Sequence, residues 1–347
     1  MKNPSTPLVC ICVPTYNAGK TLSATLDSIL GQTYSNLLVK VVDNASTDNT
    51  LQIADVYASK DLRVSVIRNG DNIGAEGNFT RCLQLAEGDY TAIFHSDDIY
   101  SPEIVKEQVA FLEKHPQAGA VFTMAQSIDE EGKPGRTYTL PSELIHAEST
   151  LYEFPEIFRV MLKYGNFIFC PSAMAKTSVY RDCIKIWDSG NFGNSADLDV
   201  WLRILKLHPV GILPEPLLFY RGAAMSSYSY TAVRTKTDPH NMLRVFETYM
   251  AEYARDLMGP KEKADYARLV MNDNVNRAFN FAAMSKPAEA KALLAGVFRP
   301  GSLSTAFCSV YHLKTVVLAF LTILLILLPL PGRIRRQVSI WRFKSRG

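Results

Sequence analysis

The chain has 347 residues, of which 47% are hydrophobic and 20% charged, enough for two domains or one large domain with appendages. Six of its 37 basic residues lie in the last fifteen positions with no acid among them, leaving 31 basic against 34 acidic residues for the body. A mildly acidic body argues against nucleic acid as the main partner, because phosphate binding needs a basic face on the folded domain. The six cysteines, Cys10, Cys12, Cys82, Cys170, Cys183 and Cys308, include no C-x-x-C pair, which points to reduced thiols rather than a disulfide framework or a zinc site.

From Leu8 to Ala125, apolar runs alternate with amphipathic stretches in the rhythm of a parallel α/β sheet. Met1 to Pro7 precede only six apolar residues before Pro14, too few for a signal-peptide core, so the body is expected in the cytosol. Strands are expected over Leu8–Val13, Leu38–Val42, Val64–Ile67, Tyr90–Phe94 and Ala120–Phe122. Leu22, Leu26, Ile29 and Leu30 share one helical face, as do Val105, Val109 and Leu112. Ser101 and Pro102 read as N-cap and first position of a helix.

Beyond Met124 the rhythm breaks. Ser127–Thr150 is polar and carries a hairpin signal at Glu131-Gly-Lys-Pro-Gly135. Short strands are expected at Phe167–Ser172 and Val210–Pro214, with a helix over Asp197–His208 capped by Asn194 or Ser195. Pro239–Val297 turns helical, with Met242, Val245, Phe246, Tyr249 and Met250 at helical spacing.

Thr315–Leu330 is an apolar run of sixteen residues, roughly 24 Å as a helix against the ~30 Å hydrocarbon core. A buried helix would account for it, but the basic tail with Trp341 and Phe343 that follows favours membrane attachment. A single crossing would carry those arginines away from a cytoplasmic body. An in-plane or re-entrant segment, broken at Pro329 and Pro331 with both ends facing the cytosol, fits better.

The chemistry concentrates at the strand ends. An apolar strand that stops in His95-Ser96-Asp97-Asp98 leaves two adjacent carboxylates at the edge of a core, where each needs a cation or several hydrogen bonds to replace its hydration. In open α/β sheets, ligands bind beyond the carboxyl ends of the strands. The other endings on that edge are Pro14-Thr15-Tyr16-Asn17, Asp43-Asn44-Ala45-Ser46 and Asn69-Gly70-Asp71-Asn72. No G-x-G-x-x-G follows the first strand, which weighs against a dinucleotide oxidoreductase. Pro14 to Asn17 instead make a stiff turn with an aromatic face suited to a base and ribose.

In order and spacing these motifs resemble glycosyltransferase family 2, the inverting GT-A type of bacterial surface-polysaccharide synthesis. The resemblance covers roughly residues 7–222 and includes Ala196-Asp197-Leu198-Asp199 and Phe219-Tyr220-Arg221. It implies a mostly parallel, Rossmann-like sheet flanked by helices, with a C-terminal helical appendage and a membrane-associated helix. The divisions would be 1–125 for the nucleotide-sugar half, 126–225 for the acceptor half, 238–300 for the appendage, and 310–347 for the hydrophobic segment and tail.

By resemblance, Thr15, Tyr16 and Asp43 contact the nucleotide, together with Pro14, Asn17 and Asn72. Asp97 binds a divalent metal, Mn²⁺ or Mg²⁺, and Asp98 helps position the sugar. Asp197 is the general base. An Asx-turn is the bland account of Asp43. His95 stands where the family often has its first carboxylate, and Ala196 where it has Glu. Gly77-Asn78 replaces an Arg-Asn pair, so the diphosphate needs another cation, for which Arg81 is the candidate. Gly222-Ala223-Ala224 follows the Tyr-Arg pair where a His is often found, and Ser226, Ser227 and Ser229 beyond it read either as phosphate contacts or as solvated loop. Asp199 is the rival base, but it stands four residues before Arg203, the spacing of an ordinary ion pair. Asp197 has Val200 and Trp201 at those positions, so apolar neighbours would raise its pKa. Arg203 and Arg221 are the remaining residues expected around the donor sugar.

The expected activity is metal-dependent inverting transfer from a nucleoside-diphosphate sugar, a UDP-sugar by default, to a glycan or lipid-linked acceptor at the cytoplasmic face of the plasma (inner) membrane. A nucleotidyltransferase and a non-catalytic nucleotide-sugar-binding protein are the alternatives.

Overall fold

The computed structural model describes residues 6–145, 150–221, 236–298 and 310–328. The chain divides into two compact units, Met1–Val160 with Asn166–Ala224, and Met161–Gly165 with Met225–Gly347.

The first unit alternates strand and helix: β1 (Val9–Thr15), α1 (Leu22–Leu30), β2 (Leu37–Asp43), α2 (Thr50–Lys60), β3 (Val64–Arg68), α3 (Ala75–Gln84), β4 (Tyr90–Ile93), β5 (Ile99–Tyr100), α4 (Ile104–Lys114) and β6 (Ala120–Ile128). It continues through β7 (Pro134–Thr137), β8 (Leu151–Tyr152), α5 (Phe154–Tyr164, of which the part from Met161 belongs to the second unit), β9 (Met174–Lys176), α6 (Ser189–Phe192), α7 (Ala196–Leu205) and β10 (Val210–Tyr220). One sheet orders them β3-β2-β1-β4-β9-β6-β10-β5, with β7 against β6 and β8 against β10. The first four strands are parallel, β9 runs antiparallel to both β4 and β6, and β6 and β10 are parallel again. Val9 to Val13 are buried on both faces, which is why β1 reads as a continuous apolar run rather than an alternation.

Several expectations shift. Phe167–Ser172 forms no strand: Cys170–Ser172 is a 3₁₀ turn in which the Ser172 hydroxyl donates to the Phe169 carbonyl, and the strand begins only at Met174. Pro171 lacks the N–H a ladder would use. The helix expected from Ser101 starts at Ile104, because the Ile104 N–H first closes a turn onto the Ser101 carbonyl. Residues just before it, Ile99 and Tyr100, pair with Phe219 and Leu218 as a short strand. Ser195 occupies the N-cap position of α7 without making a side-chain cap bond.

The second unit carries α8 (Asn241–Glu252), α9 (Pro260–Ala283), α10 (Pro287–Leu294) and α11 (Val310–Leu327). Val275, Ala278 and Phe279 of α9 pack with Leu294 of α10 and with Leu318 and Ala319 of α11. Among the described residues, no helix is long and apolar enough to cross a membrane. Pro329, Pro331, the basic tail, Cys308 and the serines Ser226, Ser227 and Ser229 lie outside the described residues.

The sheet is tightly packed where β10 meets α4. A Cβ on Gly211 would come within 2.2 Å of the Phe111 ring. Gly211→Ala should therefore lower stability by about 1–3 kcal/mol in urea denaturation. Adding Phe111→Leu should recover part of the loss; a wild-type midpoint for Gly211→Ala would contradict this packing.

Candidate active site

Parallel register sets the edge. It places Thr15 beside Asp43 and Asp43 beside Arg68, so three strand ends open side by side. Asp43 is buried, and its Oδ2 accepts from the Ser46 N–H at 3.1 Å, the expected Asx-turn. Its Oδ1 is buried with no partner among the described residues, an acceptor held open for a donor. Tyr16 is 47% exposed beside it, and Pro14 is half-buried at the strand end. Thr15 is enclosed and its hydroxyl donates to the Val13 carbonyl, so its one proton is turned inward. Asn17 has a positive φ of 49° and stitches two loops: its N–H donates to Ser46 Oγ, and its Oδ1 accepts from the Thr47 N–H.

An amide network holds the next loop. Asn44 Oδ1 accepts from the Ile73 N–H and Asn69 Nδ2, while its Nδ2 donates to Asn72 Oδ1 and the Gly74 carbonyl. Asn78 Nδ2 donates to the Val42 carbonyl and its Oδ1 accepts from Asn69. Asn72 thus shapes the loop that enters α3. Arg81 sits in the last turn of α3, exposed and donating to Gln84 Oε1, about 10 Å along the helix from Gly74. The structure does not bring it into this cluster.

After β4 the chain makes its acidic turn. One ligand atom each from His95, Asp97 and Asp98 lies within 4.8 Å of the others. Three hydroxyls along α1 and its entry hold the turn: Thr21 Oγ1 donates to the Ser96 carbonyl, Thr25 Oγ1 to the Asp98 carbonyl, and Ser28 Oγ accepts from the Tyr100 N–H. Arg221, just past β10, holds the other side. Its N–H donates to Asp98 Oδ1 at 2.7 Å, its Nε to the Asp97 carbonyl at 2.9 Å, and its Nη1 to the carbonyls of Asp129 and Glu130. Asp98, expected beside the sugar, is instead fully enclosed. Burial and the neighbouring Asp97 push its carboxyl well above the usual range, opposed by Arg221. Burial pushes the His95 imidazole down. Asp98 Oδ2 and His95 Nε2 are buried with no partner among the described residues, so a cation held by this set has waiting ligand atoms.

At the start of α7 two acids meet different fates. Asp199 is buried and pairs with Arg203 Nε at 2.8 Å, as the spacing predicts, and the same guanidinium donates to the carbonyls of Ile184 and Ile186. Both residues thereby brace α7. Asp197 is half-buried, and Asn166 Nδ2 donates to its Oδ2 at 3.2 Å. Desolvation raises its pKa from 3.8 to about 6 against the hydrogen bonds from Asn166 and the Leu198 backbone. The Cys170 thiol is pushed up by burial and by the charges of both Asp197 and Asp98, so the two carboxylates stand within electrostatic reach of one group. Sequence reasoning missed Asn166, the asparagine network and the α1 hydroxyls. An alternation of Thr21, Thr25 and Ser28 at helical spacing was the one visible sign of the last.

A family model described as Glycosyl transferase family 2 matches residues 10–182. EpsE of Bacillus subtilis, named a glycosyltransferase, is 32% identical over 205 residues, which are 58% of this chain and 68% of EpsE. The beta-1,3-glucosyltransferase WfaP of Escherichia coli is 37% identical over 106 residues, 30% of this chain and 41% of WfaP. Among solved structures, the mannosyltransferase PcManGT of Pyrobaculum calidifontis, in complex with GDP-Man and Mn²⁺, superposes with a TM-score of 0.57 at 18% identity, covering 91% of this chain and 88% of that one. The fold is therefore of the GT-A type, and the chain belongs to glycosyltransferase family 2.

Proposed function

We propose that this glycosyltransferase is a metal-dependent, inverting enzyme that moves a sugar from a nucleoside-diphosphate donor, a UDP-sugar by default, to a lipid-linked glycan acceptor. The observation that carries the reading is the pairing of a half-buried carboxylate of raised pKa, Asp197, with the unpartnered ligand atoms of the His95, Asp97 and Asp98 turn. WfaP, whose name gives a diphosphoundecaprenol-linked acceptor, supports the lipid-linked class. Surface-polysaccharide synthesis at the cytoplasmic face of the inner membrane is the corresponding setting, with residues 310–347 as the attachment.

On this reading the exposed Tyr16 ring packs on the nucleobase, and the open Asp43 Oδ1 accepts a base N–H. Asp97 is the principal metal ligand, with His95 Nε2 and Asp98 Oδ2 beside it. A divalent cation there would neutralise charge on the departing diphosphate. Asp197 takes the proton of the acceptor hydroxyl as that oxygen attacks the anomeric carbon and the bond to the diphosphate breaks. One base and a single displacement invert the anomeric centre. Asn166 holds the base in place with a neutral donor, which orients the carboxylate without the strong pKa depression a cation would cause.

Asp97→Asn should reduce sugar transfer at least about a hundredfold and weaken activation by added Mn²⁺. Asp197→Asn should cost about 10²- to 10⁴-fold in kcat while leaving donor binding near wild type. If both variants transfer sugar at the wild-type rate, these assignments fail; nucleotide transfer without sugar transfer would instead indicate a nucleotidyltransferase.

The base must be ionised, so the wild-type rate should rise with pH through about 6 and then level. Stability has the opposite slope. A folded pKa above the unfolded 3.8 means the native state holds the Asp197 proton more tightly, so its contribution is complete below about 4 and is lost as pH rises through about 6. Asp197→Asn should accordingly raise the melting temperature at pH 8 relative to wild type and change it little at pH 4, as read by calorimetry.

A further inference from the structure

Helix α11 shows two faces. Thr315, Val316, Ala319, Thr322 and Leu325 are buried, and Thr315 Oγ1 donates to Asn272 Oδ1 of α9. Leu313, Val317, Phe320, Leu321, Leu324 and Leu327 are each between 44% and 67% exposed. At 100° per residue these six fall within an arc of about 120°. A continuous stripe of large apolar side chains along a helix of 18 residues is far more than scattered surface hydrophobics. Its opposite face is already packed on α9 and α10, and the helix measures about 27 Å.

We infer that this stripe docks in the plane of a bilayer bearing anionic headgroups, with the axis of α11 parallel to the surface. Charge argues for that occupant. From Thr315 to the C-terminus the sequence has no acidic residue, and six basic residues follow the helix between Arg333 and Arg346. Basic side chains flanking an apolar face add electrostatic attraction to apolar burial, the two signals that stable surface attachment requires. Packing of one face on α9 and α10 leaves only the other for lipid, which suits an interfacial helix rather than one surrounded by acyl chains. The inference deepens the membrane-attachment part of the function proposed above and is independent of its chemistry.

The test uses the full chain in vesicle flotation, with phosphatidylcholine alone and with phosphatidylcholine containing one quarter phosphatidylglycerol. Wild type should float with the anionic vesicles. Leu321→Gln with Leu324→Gln should weaken partitioning at least about tenfold, and Arg333→Glu with Arg335→Glu and Arg336→Glu should weaken it for anionic vesicles only. Sugar transfer measured in detergent should be unchanged in both variants, so loss of transfer in wild type reports on the catalytic reading and loss of flotation on this one. Three results would overturn the inference: no flotation of wild type; flotation indifferent to the Leu variants; or sedimentation showing a dimer that those variants dissociate, which would make the stripe a contact between copies. A tail shielded from protease outside sealed vesicles would overturn the in-plane orientation.

Discussion

The site depends on how the acidic turn after β4 is held. Two adjacent carboxylates near a half-buried imidazole repel one another, and a turn carrying them would open toward water unless its backbone were anchored. The anchors come from both sides: hydroxyls along α1 donate to the carbonyls of Ser96 and Asp98, and Arg221 donates to the carbonyl of Asp97. Nearly all of these bonds end on main-chain oxygen. Only Asp98 Oδ1 is used, by the Arg221 N–H, so Asp98 Oδ2 stays open for a cation. A clamp built on carboxylate oxygens would have held the turn equally well and left less to bind with.

The same economy of donors separates Asp197 from Asp199. The two acids lie two residues apart on α7, so their sequence surroundings are nearly the same. Asp199 meets a guanidinium that is itself fixed by two carbonyls, and the buried pair braces the helix. Asp197 meets an amide. A neutral donor orients the carboxylate but offsets little of its desolvation, and the pKa rises toward 6.

Local signals therefore carried much of the site. The strand-end motifs were legible because each joins an apolar run to turn-forming residues, and the parallel register then brings the ends together without further information. The Asp199 and Arg203 pair was legible because its spacing is helical. Asn166 was not, since it reaches Asp197 across 31 residues of sequence and nothing local marks it. Arg81 was legible only in part: helical spacing from Gly77 places it on α3, but says nothing of what its guanidinium meets. Asp98 keeps its place in the cluster with His95 and Asp97, but that its side chain turns inward is not written in its adjacency to Asp97.

His95 gives the cluster a character that two carboxylates alone would lack. Its main-chain N–H donates to the Tyr100 hydroxyl at 2.6 Å, and its ring lies 5.3 Å from Phe79, so backbone and ring are each contacted by an aromatic residue. Burial favours its neutral form, the form that can coordinate a cation. Replacing a carboxylate with an imidazole removes one negative charge from the set and one hard oxygen ligand. Loss of the oxygen ligand disfavours Mg²⁺, which binds mainly through carboxylates and water, relative to Mn²⁺, which accepts nitrogen ligands more readily, whereas loss of a negative charge weakens the hold on either ion. On the proposed reading, the departure at His95 therefore bears on the choice of metal as well as on how tightly a metal would be held.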